Sequence, residues 1–283
     1  MTAGLRKTAA LLALAVMFTG CSAPAESESG AALPDVVGSM DIRYAEQFSV
    51  DYLADGSALA EVADGRRYLI IPDGGEVPEQ LPEDVTVISQ PENIYLASSS
   101  SMDLFSSLDC LGDILASSTP ESGWKLPEIA QAMADEDILY AGKYSSPDIE
   151  LLMSEGCDLA IENMMIYHSP KTAEQIESCG IPVFIERSSA ESHPLGRLEW
   201  VRLYGLMLGK SDEAEKFFSE KCSLLDEVTS RESTGCTAAF FYISSNGSAV
   251  VRKPGDYISK MIELAGGKYV FTAGDLNVDE NAL

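Results

Sequence analysis

The sequence predicts an α/β fold, and three observations carry the prediction. Strand-patterned and helix-patterned segments alternate between residues 85 and 185. Two Asp-Gly turns break short alternating runs ahead of them, which is the mark of a small β-meander. Apolar residues at helical spacing then run from Leu195 to Val228.

Residues 1–20 hold Arg6 and Lys7, no acidic residue, and an apolar run from Thr8 to Phe18. A basic start and an apolar stretch too short to span a bilayer predict a signal peptide. Its end, Phe18-Thr19-Gly20-Cys21, resembles the lipobox of bacterial lipoproteins, with Phe in place of the usual Leu. On that reading Cys21 is lipidated and anchors the protein to the membrane on its extracellular or periplasmic side. An ordinary secretory signal or a short membrane anchor is the alternative. Residues 21–39, rich in Ser, Ala, Glu and Pro, read as a flexible tether.

A first lobe is expected over 40–195. Its meander spans Asp41 to Pro72, with turns at Asp55-Gly56 and Asp64-Gly65. Strands follow at 85–89 and 94–97, helices at 101–111 and 147–155, a strand at 158–161, a helix at 170–178 and a strand at 181–185. Residues 196–230 read as a helix that connects to a second lobe, with one break near Gly209-Lys210-Ser211-Asp212. In 231–283, strands at Thr237–Ser244 and Ser248–Arg252 flank Asn246-Gly247, a hairpin signal; a helix at 256–265 and a strand near 269–271 come next.

Composition narrows the function classes. A length of 283 residues suits one large or two ordinary domains, and 46% hydrophobic residues suffice for a buried core. A net charge of -26 argues against nucleic-acid binding and against polybasic membrane attachment. Two histidines cannot form a His-rich metal cage, and no metal or cofactor is expected. The cysteines beyond Cys21 (Cys110, Cys157, Cys179, Cys222, Cys236) are odd in number and lack a C-x-x-C pair. They read as small buried hydrophobes, with a bridge such as Cys157 to Cys179 left open.

Several motifs, in order, carry a resemblance. They are Ile94-Tyr-Leu-Ala-Ser-Ser-Ser-Ser-Met-Asp-Leu-Phe, Tyr140-Ala-Gly-Lys-Tyr-Ser-Ser-Pro-Asp-Ile-Glu-Leu-Leu, Gly156-Cys-Asp-Leu-Ala-Ile-Glu, Gly180-Ile-Pro-Val-Phe, Leu208-Gly-Lys-Ser-Asp-Glu-Ala-Glu, and Tyr257-Ile-Ser-Lys-Met-Ile-Glu-Leu-Ala-Gly-Gly-Lys-Tyr-Val. Together they resemble the substrate-binding proteins of ABC importers for ferric siderophores, haem and cobalamin. The resemblance implies two Rossmann-like lobes joined by a long rigid helix, a metal-chelate ligand held between them, and delivery to an ABC permease and its ATPase by a monomeric binding protein. It also implies that one surface carboxylate on each lobe docks on the permease, and the motifs put Glu150 and Glu263 there. An ordinary solvated Glu is the other reading of each.

The ligand is expected at loops following strands. Ser98, Ser99, Ser100 and Ser101 lie between a strand and a helix, where they would meet an anionic group or simply cap the helix. Tyr144, Ser145 and Ser146 form the next such loop, and Glu162 and Asn163 with Tyr167 and His168 form the third. Arg187, His193 and Arg197 gather in one non-helical stretch of an acidic chain, either as a positive spot for a carboxylate or hydroxamate–iron complex or as partners of local Glu residues. Tyr242, Arg252, Lys253 and Tyr257 are candidates to close the cleft from the other lobe.

Enzyme readings find little support. No G-x-S-x-G elbow exists, and Gly209-Lys210-Ser211 lacks the first P-loop glycine, since Tyr204 occupies that place. The expectation is a non-enzymatic binding protein, with a surface lipoprotein for sensing, adhesion or carbohydrate binding as the alternative. The 49 residues from Gly235 are fewer than a second lobe of the resembled family uses, so an incomplete second lobe is expected.

Overall fold

The computed structural model describes residues 33–279, so the signal peptide, Cys21 and most of the tether lie outside the described residues. The first sheet holds β1 (Val36–Ser39), β2 (Phe48–Leu53), β3 (Ala58–Val62), β4 (Arg67–Ile71) and β5 (Val85–Ser89), in that spatial order. β1 to β4 pair antiparallel, and the two Asp-Gly turns join β2 to β3 and β3 to β4, as the sequence predicts.

The meander is larger than expected at both ends. Val36–Ser39, assigned to the tether, forms β1 by backbone pairing with β2. All four of its residues are exposed, so no burial pattern marks the strand. β5, expected in the second sheet, instead pairs parallel with β4. Leu81, Val85 and Val87 from this return then cover Leu53, Leu69 and Ile71, giving the first sheet a second buried face.

Further along come β6 (Ile94–Leu96), α1 (Met102–Ser107), β7 (Ile114–Ser117), α2 (Pro127–Ala134), β8 (Leu139–Tyr140), the hairpin of β9 (Gly142–Lys143) and β10 (Ser146–Pro147), α3 (Ile149–Ser154), β11 (Leu159–Asn163), α4 (Pro170–Ser178) and β12 (Val183–Glu186). The second sheet has the order β12-β11-β6-β7-β8 and is parallel throughout. α1 is shorter than predicted because Asp109 adopts a left-handed φ of 57° that ends the helical path. β7, α2 and β8 fill a span the sequence pattern left unassigned.

Alternation in β6 divides the core in two. Ile94 and Leu96 face a large cluster containing Phe105, Phe184, Trp200, Tyr204 and Phe218, which also takes in Phe48, Val50 and Tyr68 of the first sheet. Tyr95 and Ala97 face a smaller cluster with Leu152, Ile176 and Ile185 beneath the α3–α4 side. The edge strand β12 is covered, since the Ile185 N–H donates to the Tyr68 hydroxyl at 3.2 Å.

The predicted helix 196–230 is helical in two pieces, α5 (Pro194–Met207) and α6 (Ser211–Thr229). The break is set by Gly209, whose φ of 66° suits a residue without Cβ. The pieces fold back on each other. Arg202 Nε of α5 lies 2.8 Å from Glu215 Oε2 of α6, and a Cβ on Gly205 would come within 2.4 Å of the Ala214 Cβ. α6, about 28 Å long at 1.5 Å per residue, is the piece that leads onward.

The remaining elements are β13 (Thr237–Ala238), β14 (Phe241–Ile243), β15 (Ala249–Val251), α7 (Tyr257–Leu264), β16 (Lys268–Tyr269) and α8 (Ala273–Leu276). β14 and β15 form the hairpin expected at Asn246-Gly247, while β13 pairs parallel with β16. Met261, Leu264 and Ala265 face Leu195, Leu225 and Val228, which seats α7 on the α5–α6 pair. All five described cysteines are unbridged, so Cys157 and Cys179 are not paired. Cys110, Cys157 and Cys222 are buried as expected, whereas Cys236 is exposed.

Candidate functional site

The chain runs from β6 outward to β7 and β8, then returns to β11 and β12 on the other side of β6. The strand order therefore reverses between β6 and β11, and at such a point a crevice opens at the carboxyl ends of the strands. Three of the loops singled out in the sequence start there, after Leu96, Asn163 and Glu186.

The first loop is organised around a carboxylate that the sequence reading missed. Glu186, the last residue of β12, is fully buried. Its Oε2 accepts from the Ser98 hydroxyl at 2.7 Å and the Ser100 hydroxyl at 3.2 Å, and its Oε1 accepts from the Ser188 N–H at 2.6 Å. Ser101 lies 2.9 Å from the Tyr204 hydroxyl and makes no side-chain cap to α1. Ser98 and Ser101 thus spend their hydroxyls inward rather than on a cap or an anion, while Ser100, also bonded to Glu186, stands exposed at the pocket described next. Ser99 is exposed.

Above this cluster lies a pocket of ≈ 420 Å³, bounded by Ser100, Asp103 and Leu104 on one side, Ser188 and Arg197 below, and Tyr257 and Met261 of α7 on the other. The Arg197 guanidinium carbon sits 3.6 Å from the Tyr257 ring centroid. Two hydrogen bonds hold it from behind, to the Glu191 and Ser189 carbonyls at 3.2 and 2.6 Å. Burial pulls the Arg197 pKa down, but from so high a value that it stays charged. The pocket therefore offers one fixed cation, one aromatic face and one carboxylate in a volume typical of small-molecule sites.

The three expected basic residues do not gather. Arg187 donates to Gln47 Oε1 at 3.2 Å and to the Tyr167 hydroxyl at 3.0 Å, tying the first sheet's entry to the loop after β11. His193 stacks on Tyr44, and its Nδ1 accepts from the Leu195 N–H at 3.1 Å, capping α5. Of the three, Arg197 alone lines the pocket with Tyr257.

The other candidates are scattered as well. Tyr144 and Ser145 sit at the tip of the β9–β10 hairpin rather than in a strand-to-helix loop, with the Ser145 carbonyl held by Thr172 at 3.1 Å. Asn163 accepts from the Met165 N–H and donates to the Ala97 carbonyl, which makes it a local brace. Tyr167 donates to Asp64 at 2.6 Å, and His168 is exposed. Tyr242 is exposed on β14, while Arg252 pairs with Asp256 at 3.3 Å. Lys253 is exposed one residue further on. Glu150 and Glu263 are both exposed, on α3 and α7, and Glu263 lies 3.7 Å from Lys260.

Glu162 is fully buried, and neither of its carboxyl oxygens has a hydrogen-bond partner among the described residues. Burial pushes its pKa up to about 8. The nearby Tyr95 hydroxyl is also buried without a partner, and burial followed by the charge of Glu162 raises its pKa. No group of three or more His, Cys, Asp or Glu among the described residues is placed to hold a metal ion.

Two more buried carboxylates escaped the sequence reading. Glu199 accepts from the N–H groups of Arg43, Tyr44 and Ala45, the shortest at 2.7 Å, and Glu191 accepts from those of Glu46 and Gln47 and from Trp200 Nε1. They clamp the strand-free stretch before β2 to α5 and to the turn that precedes it. The available signal was, for Glu199, an acid set inside an apolar helical run, Leu198-Glu-Trp-Val; Glu191 stands in a polar stretch, Ser188-Ser-Ala-Glu-Ser, that carries none.

No family model matches the sequence. The chain is 24% identical over 234 residues to an uncharacterized lipoprotein of Methanocaldococcus jannaschii, covering 76% of this chain and 54% of that protein. Among solved structures it is similar to the petrobactin-binding protein YclQ of Bacillus subtilis, with a TM-score of 0.54 at 12% identity, over 75% of this chain and 66% of that one. It is also similar to the periplasmic heme-binding protein HutB of Vibrio cholerae, with a TM-score of 0.53 at 16% identity, over 62% of this chain and 65% of that one. A periplasmic binding protein of Veillonella parvula aligns with a TM-score of 0.53 at 17% identity, over 69% and 66%. The chain thus spans about half the length of the curated relative and just under two thirds of these structures. It has the periplasmic binding protein fold, as the sequence predicts.

Proposed function

We propose that this chain is a solute-binding protein of an ABC importer, held at the membrane by lipid on Cys21, that takes a metal chelate such as a ferric siderophore, haem or a cobalamin into the pocket between the first lobe and α7. The observation that carries the reading is the contact of Arg197 with Tyr257 in the wall of a ≈ 420 Å³ pocket at the strand-order reversal. A fixed guanidinium beside an aromatic face suits an anionic chelate with a flat or aromatic body. The names of the structurally similar binding proteins support the same ligand class.

Delivery to a permease belongs to the same reading, with Glu150 and Glu263 as the docking carboxylates. Exposed charges in such positions steer encounter and fix orientation more than they add affinity. The test of ligand class is a panel of ferric siderophores, haem and cobalamin titrated against the fluorescence of Trp124 and Trp200. Saturable quenching by at least one chelate is expected, and absence of quenching across the panel would sink the proposal in favour of a lipoprotein without chelate transport.

A further inference from the structure

We infer that a second pocket, on the opposite side of α7, is a binding site for a monocarboxylate with an apolar body. This pocket, of ≈ 580 Å³, lies between the Ser192–His193 turn that precedes α5 and the stretch from α7 through β16 to α8. α7 separates it from the first pocket, since Tyr257 and Met261 face one and Lys260 and Glu263 the other.

Charge points to an anion. In a chain with 45 acidic and 19 basic residues, this lining brings His193, Lys260 and Lys268 together with one carboxylate, Glu263. Lys260 and Glu263 lie 3.7 Å apart and offset one another. Among the described residues the Lys268 ammonium has no ion pair or hydrogen bond and adds one positive charge.

Hydrogen bonding supplies direction. His193 Nδ1 accepts from the Leu195 N–H, which puts the ring proton on Nε2, an atom without a partner among the described residues. Burial, and after it the charge of Lys260, lowers the pKa of this ring, so it is a neutral donor at pH 7. Stacking on Tyr44 at 4.7 Å fixes its plane.

The walls supply the apolar half. Tyr269 and Phe271 meet edge to face at 5.8 Å, and the Tyr269 hydroxyl is used on the Arg252 carbonyl, so its ring is what it offers. One uncompensated ammonium and one neutral N–H donor match a single negative charge. A phosphate dianion would leave a charge unmatched beside Glu263, which decides for carboxylate.

The chain has two histidines, His168 and His193, so imidazole ¹⁵N resonances of the full chain provide a probe with an internal control. Titration with benzoate is expected to move His193 saturably and leave His168 in place. Lys268→Ala should weaken benzoate about tenfold, as loss of a charged hydrogen bond does, while Lys171→Ala should not. A non-saturating His193 shift, equal shifts of both histidines, an unchanged affinity in Lys268→Ala, or inorganic phosphate binding as tightly as benzoate would each overturn the inference. The two sites are read separately, benzoate at the His193 resonance and the chelate panel by tryptophan quenching, so either reading can fail without the other.

Discussion

The Arg197 guanidinium carbon lies 3.6 Å from the centre of the Tyr257 ring, a contact between the helix that closes the first lobe and the first helix beyond α6. Each partner is held from its own side. Arg197 is fixed by the Glu191 and Ser189 carbonyls, and Tyr257 begins a helix whose cap, Asp256, accepts from the Ile258 N–H at 2.9 Å and pairs with Arg252. Arg252, expected to close the cleft, thus acts one step back by holding that cap. A cation–π contact of this kind contributes about 0.5–2 kcal/mol, small enough for a ligand to displace or exploit.

Glu186 should matter to stability although it touches no solvent. Glu186→Ala would leave the Ser98 and Ser100 hydroxyls and the Ser188 N–H without their acceptor, at a cost of about 2–4 kcal/mol. Ser98→Ala should cost less, about 1–2 kcal/mol, because Ser100 and Ser188 still satisfy the carboxylate. Urea unfolding at pH 7 checks both, and equal stabilities would contradict the hydrogen-bond network described.

Glu162 gives the first lobe a pH dependence of defined sign. Its folded pKa is raised from 4.5 to about 8 by burial, so the folded state holds a proton that the unfolded chain releases. Its contribution to stability is complete below about pH 4.5 and is lost progressively as pH rises to about 8. Glu162→Gln, which mimics the protonated acid, should remove that decline. Parallel pH–stability curves for the two proteins between pH 5 and 8 would contradict the assignment.

Gly196 is a point of close approach between α5 and the stretch before β2. A Cβ there would lie 2.8 Å from the Tyr44 carbonyl oxygen, and that carbonyl's own segment is clamped by Glu199 and Glu191. Gly196→Ala is expected to destabilise by about 1–3 kcal/mol, the usual cost of overpacking, despite the higher helix propensity of Ala. A neutral or stabilising effect in thermal unfolding would mean the clamp yields.

Glu150→Arg and Glu263→Arg test the docking surface. Both side chains are exposed, so folding should be unaffected. In vesicles that carry the permease and ATPase, each reversal should slow chelate uptake at unchanged chelate affinity, and normal uptake by both would remove the docking assignment.

The parallel sheet and the three hairpin turns were legible because their signals are local: apolar alternation, two Asp-Gly pairs and one Asn-Gly. β1 was not, since its four residues are exposed and its place comes from backbone pairing alone. β8 is two residues long, below the length at which periodicity speaks. α2 could have been read from Pro127 at its first turn and from Ile129 and Met133 four apart. Sequence reasoning singled out Arg197 and Tyr257, which line one pocket, but overlooked Glu186, because a carboxylate's burial depends on serines 86 to 88 residues away that no local pattern joins to it.

The central claim is that Arg197 and Tyr257 form the ligand pocket, and calorimetric titration of the best chelate of the panel into the wild type, Arg197→Ala and Tyr257→Ala tests it most directly. We predict at least about a tenfold loss of affinity for each variant, with circular dichroism showing each to be folded at the titration temperature, as removal of a charged or stacking anchor gives. Wild-type affinity in both variants would contradict the account and move the binding site elsewhere on the molecule.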